Sequence, residues 1–222
     1  MSRFISRFNK WTSVGSTVPD GHAKVNNFNN YDDLNEAKYL IIGTLTPCSG
    51  RNGKCYSEGY FYCSKGNWMY EFIDYAFKGD GNVDLETAKR EFRKKWGDPA
   101  NIKEILHKRH IAFLDVVGEA IVHIDDPSDD AIVPFVLDKD NFLKQKEKIE
   151  CLINNHRVVA NSKNAAEGFK AIMGDKKQIP VIPQRIRRHF TDFTTKDTYA
   201  SKDDLRKGWD NFFNRKGYWK NK

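Results

Sequence analysis

The run Tyr39-Leu40-Ile41-Ile42, closed by Gly43-Thr44, restricts most strongly what this chain can become. A continuous apolar, β-branched run of this length suits a strand buried on both faces, as in a parallel sheet, rather than a half-exposed strand with alternating polarity. His110 to Val117 (HIAFLDVV) predicts a second buried strand, Arg157-Val158-Val159-Ala160 a third, and Gln178 to Pro183 a short fourth. Helical spacing fills the intervals: Trp68–Phe77, Leu85–Trp96, Ile102–His107, Asp140–Asn154, Asn164–Met173 and Lys202–Phe213. Gly97-Asp98-Pro99 and Gly174-Asp175 stop two of these helices. Strands alternating with helices argue an α/β domain, its central, mostly parallel four-stranded sheet flanked by helices. Residues 1–30 read as an arm, a short helix followed by a loop with turn chemistry at Val18-Pro19-Asp20-Gly21. The core then runs from about residue 35 to residue 213, with no linker dividing the 222 residues.

Charge narrows the partners. The net charge is +7 with a pI near 9.1, which favours an anionic ligand. From Asn161 onward, fifteen Lys/Arg stand against seven Asp/Glu, a local excess of +8. Arg185, Ile186, Arg187, Arg188 and His189 form the densest basic stretch, with guanidinium groups suited to phosphate and Ile186 suited to wedging between bases. The alternative for that stretch is a solvated basic loop. No run approaches the ~18 apolar residues of a membrane helix, and Met1-Ser2-Arg3-Phe4 opens no apolar leader. A cytoplasmic monomer that binds no membrane is expected. Cys48, Cys55, Cys63 and Cys151 contain no CxxC pair and match no zinc or iron–sulfur spacing, so neither a metal nor another cofactor is expected.

Gly43-Thr44-Leu45-Thr46-Pro47, then Phe61-Tyr62, then Asn67-Trp68-Met69-Tyr70 form an ordered string across a loop and into a helix. This string resembles the uracil-DNA glycosylase superfamily, most of all its branch of small enzymes that excise deoxyinosine (hypoxanthine) and uracil. Leu114-Asp115-Val116-Val117 and Asn161-Ser162 match the polar strand ends that the family carries at its second and third strands. The fourth block departs: the family's Pro-Ser motif is replaced by Ile182-Pro183-Gln184-Arg185-Ile186.

The resemblance implies a monofunctional, metal-independent DNA glycosylase. Asn67 would orient the hydrolytic water, Phe61 or Tyr62 would stack on an extruded base, and Gly43, Thr44, Asp115 and Asn161 would line the base pocket. On residue chemistry alone a plain helix N-cap is the favoured reading of Asn67, and the cap of a following turn or the partner of a lysine that of Asp115. An ionised carboxylate at position 115 accepts hydrogen bonds only, so it suits a base edge that offers N–H groups. Two other readings stay open: a catalytically inactive nucleic-acid-binding module of the same fold, and a glycosylase for a modified base in defence against foreign DNA.

Overall fold

The structure, a computed structural model, describes residue 15 and residues 17–26, 34–45, 69–77, 99–123, 132–174, 178–183, 190–191 and 198–214. Its strands are β1 (His22–Asn26), β2 (Tyr39–Gly43), β3 (Ile111–Asp115), β4 (Val117–His123), β5 (Ile132–Leu137), β6 (Val158–Ala160), β7 (Phe190–Thr191) and β8 (Thr198–Tyr199). The helices, numbered in chain order, are α1 (Met69–Phe77), α2 (Pro99–Lys108), α3 (Lys139–Lys144), α4 (Lys146–Asn154), α5 (Lys163–Met173) and α6 (Lys202–Asn214).

The three β-branched runs form one parallel sheet in the order β3-β2-β6. Alternation sends their side chains to two separate cores. Leu40, Ile42, Leu114, Val158 and Ala160 pack with Phe142, Ile149, Leu152 and Phe169 of α3, α4 and α5. Ile41, Ile111, Phe113 and Val159 pack with Met69, Phe72 and Ile73 of α1 and with Trp209 and Phe212 of α6. A strand covered on both faces must be apolar at every position, which is why the sequence shows runs and not alternation there. Gly208 lets α6 approach closely: a methyl group at its Cα would sit 2.7 Å from the Tyr199 ring.

The expected α/β architecture is present, but the four-stranded sheet is not. Residues 178–183 contribute a single parallel bridge, Ala160 to Val181, instead of a strand. Pro180 and Pro183 flank it, and a proline cannot donate to a ladder. A second, antiparallel sheet, β1-β4-β5, stands beside the first. Part of the expected N-terminal loop is therefore strand β1; the turn before it is real, with the His22 amide donating to the Pro19 carbonyl and Gly21 at φ +73°. The run from His110 to Val117 divides at Val116 into β3 and β4, so the chain passes from one sheet to the other within one residue. The single helix expected over Asp140–Asn154 is two, α3 and α4, broken at Gln145, whose side chain instead accepts the Leu34 amide at 3.0 Å. The expected Leu85–Trp96 helix lies outside the described residues.

Candidate active site at the carboxyl end of the parallel sheet

The chain runs from β2 to β3 on one side, then crosses back to β6 on the other side of β2. In an open α/β sheet such a reversal leaves a crevice beyond the strands' carboxyl ends, where ligands bind. Here that position is Gly43-Thr44 on β2 and Asn161-Ser162 after β6. Thr44 is buried, 2% exposed, and its hydroxyl lies 2.9 Å from the Ser162 hydroxyl, so a hydrogen bond spans the switch point. Ser162 also caps α5, its Oγ accepting the Ala165 amide at 3.0 Å.

Register places three candidate residues in one row. Gly43 pairs with Asp115 across β2 and β3. Asn161 follows the Ile42–Ala160 pair and donates its backbone N–H to Ile42 O at 2.9 Å, continuing the ladder level with Gly43. The row thus reads Asp115, Gly43, Asn161, with polar side chains at both ends and none in the middle. The β2–β3 seam closes behind it, as Val116 and Val117 donate to the Gly43 and Thr44 carbonyls at 2.9 and 3.0 Å. Asp138 joins from the antiparallel sheet, its amide bonded to Val116 O at 3.0 Å.

Asn161 is the anomalous member. It is 1% exposed, yet neither its side-chain nitrogen nor its oxygen has a hydrogen-bond partner among the described residues. Leaving a buried polar group unpaired costs about 1–3 kcal/mol, and native proteins nearly always avoid it. An amide holding an open donor beside an open acceptor is the complement of a group that offers the same pair reversed, such as the C=O/N–H edge of a lactam. Asp115 is half-buried at the other end of the row.

Of the residues predicted from sequence, Gly43, Thr44, Asp115 and Asn161 therefore come together. Asn67, Phe61, Tyr62, Arg185, Ile186, Arg187, Arg188 and His189 lie outside the described residues, as do Cys48, Cys55 and Cys63. Ser162 was not among the candidates, although its place just before a helix marks an N-cap in the sequence. Cys151 is exposed on α4, away from this row, and among the described residues no group of three His, Cys, Asp or Glu side chains is placed to hold a metal. No described helix is long and apolar enough to cross a membrane.

Compared with known proteins, the chain matches no family model, no curated protein and no solved structure.

Proposed function

We propose that the chain is a monofunctional DNA glycosylase of the uracil-DNA glycosylase superfamily, hydrolysing the N-glycosidic bond of a damaged, deaminated or modified base flipped into the switch-point crevice. The observation that carries this reading is the buried, unpartnered amide of Asn161 at the end of β6. A flipped base would bring the matching edge to that amide. The motif string that resembles the superfamily begins in the same row, at Gly43-Thr44.

The chemistry asks little covalent work of the protein. Cleavage passes through an oxocarbenium-like sugar, as in glycoside hydrolysis, while negative charge collects on the departing base. The Asn161 amide N–H, held in a water-poor site, stabilises that charge as it forms on a base carbonyl. Asn67, two residues before α1, orients the attacking water, and Phe61 or Tyr62 stacks on the base. The basic 185–189 stretch grips the phosphates. No lysine Schiff base is required, so the product is an abasic site with an intact strand.

Labelled oligonucleotides carrying uracil, hypoxanthine, xanthine or hydroxymethylcytosine, single- and double-stranded, test the proposal. Strand cleavage that depends on later alkali, disappears in Asn67→Ala and falls about 10²- to 10³-fold in Asn161→Leu is the expected result. Oligonucleotides that bind in a salt-sensitive way while losing no base would assign the chain to a non-catalytic nucleic-acid-binding module instead.

A further inference from the structure

The Asn161 amide has no hydrogen bond of its own among the described residues, so packing and the backbone that carries it set where it points. We propose that Ser162 is a positioning residue for that amide: its hydroxyl, bonded to Thr44 across the switch point, fixes the Asn161 backbone on its carboxyl side. This rests on reading the crevice as a base site and names the group that keeps its amide aligned.

The sheet holds the amino side of Asn161. Its own N–H donates to Ile42 O at 2.9 Å. Ala160, just before it, donates to Pro180 O at 2.8 Å and accepts the Ile182 amide at 2.9 Å. On the carboxyl side, β6 has closed at Ala160 and α5 opens at Lys163, so Ser162 is the joint between them.

Three bonds meet on Ser162. Its Oγ accepts the Ala165 amide at 3.0 Å, and its carbonyl accepts the Ala166 amide at 3.1 Å. Those two belong to any serine that caps a helix. The third does not: the Ser162 hydroxyl lies 2.9 Å from the Thr44 hydroxyl, which stands on β2's continuation, two residues past Ile42. Asn161 is thereby tied to the same strand twice, through Ile42 before its Cα and through Thr44 after it. A side chain without a bond of its own depends on such anchors for its direction. Displacing a group that acts on the transition state by about 1 Å costs about 10²-fold in rate.

The full chain with ¹⁵N-labelled asparagine reads the amide directly, its side-chain resonance assigned by its loss in Asn161→Leu. The order parameter of that group should be high in the wild type and fall in Ser162→Ala. It should fall equally in Thr44→Val, which breaks the link while α5 keeps its cap, and stay high in Ser162→Thr, which keeps the hydroxyl. On an oligonucleotide that loses its base, kcat should drop about tenfold to a hundredfold in Ser162→Ala with KM little changed. The Ser162→Ala, Thr44→Val double variant should fall no further than the weaker of the two single variants. An amide that stays ordered in Thr44→Val, or losses that multiply in the double variant, overturns the proposal and leaves Ser162 as a helix cap alone. Should Ser162→Ala fail to fold, Thr44→Val carries the test, since it leaves that cap in place. The glycosylase reading fails separately: an amide loosened in both variants with no base lost from any oligonucleotide removes the enzyme and keeps the positioning. Base loss with an amide that stays ordered does the reverse.

Discussion

The two ends of the parallel sheet are built on opposite terms. At the amino end, most polar groups serve contacts within the fold. Tyr39 Oη donates to Phe213 O at 2.8 Å, Arg157 reaches the same carbonyl at 3.5 Å, and the Arg157 guanidinium lies 4.6 Å from the Tyr39 ring centroid. These contacts fasten the end of α6 beneath β2 and β6. Beside them Arg109 Nη2 donates to the buried Asp74 Oδ1 at 2.7 Å and the guanidinium covers Phe77, although Arg109 Nη1 and Asp74 Oδ2 make no hydrogen bond among the described residues. At the carboxyl end the Asn161 amide stays open although it is as buried as the core. A ligand can recover such a cost, and the Asn161 amide, unlike the Arg109–Asp74 atoms, belongs to no ion pair; that is the ground for proposing the carboxyl end as the site.

If that contrast is right, substitutions at the two ends should separate activity from stability. The largest effect belongs to Asn161→Leu, which removes the open amide but keeps its approximate volume. Excision should fall about 10²- to 10³-fold, while the urea midpoint holds or rises because an unpaired buried group has gone. A fall in stability equal to the loss of function would break the comparison. Next comes Arg109→Met, which strips the guanidinium from a carboxylate that is 4% exposed. Unfolding in urea should show a loss of about 3 kcal/mol, with the activity per folded molecule unchanged. Tyr39→Phe is gentler: one hydrogen bond lost at the amino end, about 1 kcal/mol, and no change in activity. If Tyr39→Phe instead lowers excision, the two ends are coupled through β2.

How much of this was readable in advance depends on burial. The strands β2, β3 and β6 and the helices packed on them are double-covered or amphipathic, and such patterns survive in sequence. The antiparallel sheet left a fainter trace. Register shifts between Val117 and Glu119 and between Ala120 and Val122 disturb the period of two along β4. In β5, Pro134 argues against a strand; it is tolerated because β5 has only β4 as a neighbour among the described strands. His110 and His156 hold φ +57° just before β3 and β6, turns that a glycine would have announced and a histidine conceals. In the site, Asp115 and Asn161 were readable as polar residues ending apolar runs. That the Asn161 amide lacks a partner is a property of packing, and no residue pattern encodes it.

The smallest effect tests whether every buried polar group at the carboxyl end is functional. Asp138 is 4% exposed and bonded through its amide to Val116, next to the row, yet its side chain serves the fold. Its Oδ1 accepts the Asn141 amide at 3.4 Å as the N-cap of α3, and its Oδ2 accepts Asn141 Nδ2 at 2.5 Å. Burial pushes the Asp138 carboxyl above its ordinary range, against the lowering by those two bonds. The folded state therefore holds a proton that the unfolded chain gives up near pH 3.9. This contribution to stability is complete below the unfolded value and is lost as pH rises through the raised folded one. Asparagine caps a helix as well as aspartate does and does not titrate. Asp138→Asn should thus lose that component: its urea midpoint should gain on the wild type as pH rises from about 4 towards 7, and its excision activity should stay at the wild-type level. Parallel pH curves for the two proteins would mean that Asp138 titrates alike folded and unfolded. A loss of excision would place Asp138 with Asn161 as part of the site and move the boundary between scaffold and site one residue beyond β5.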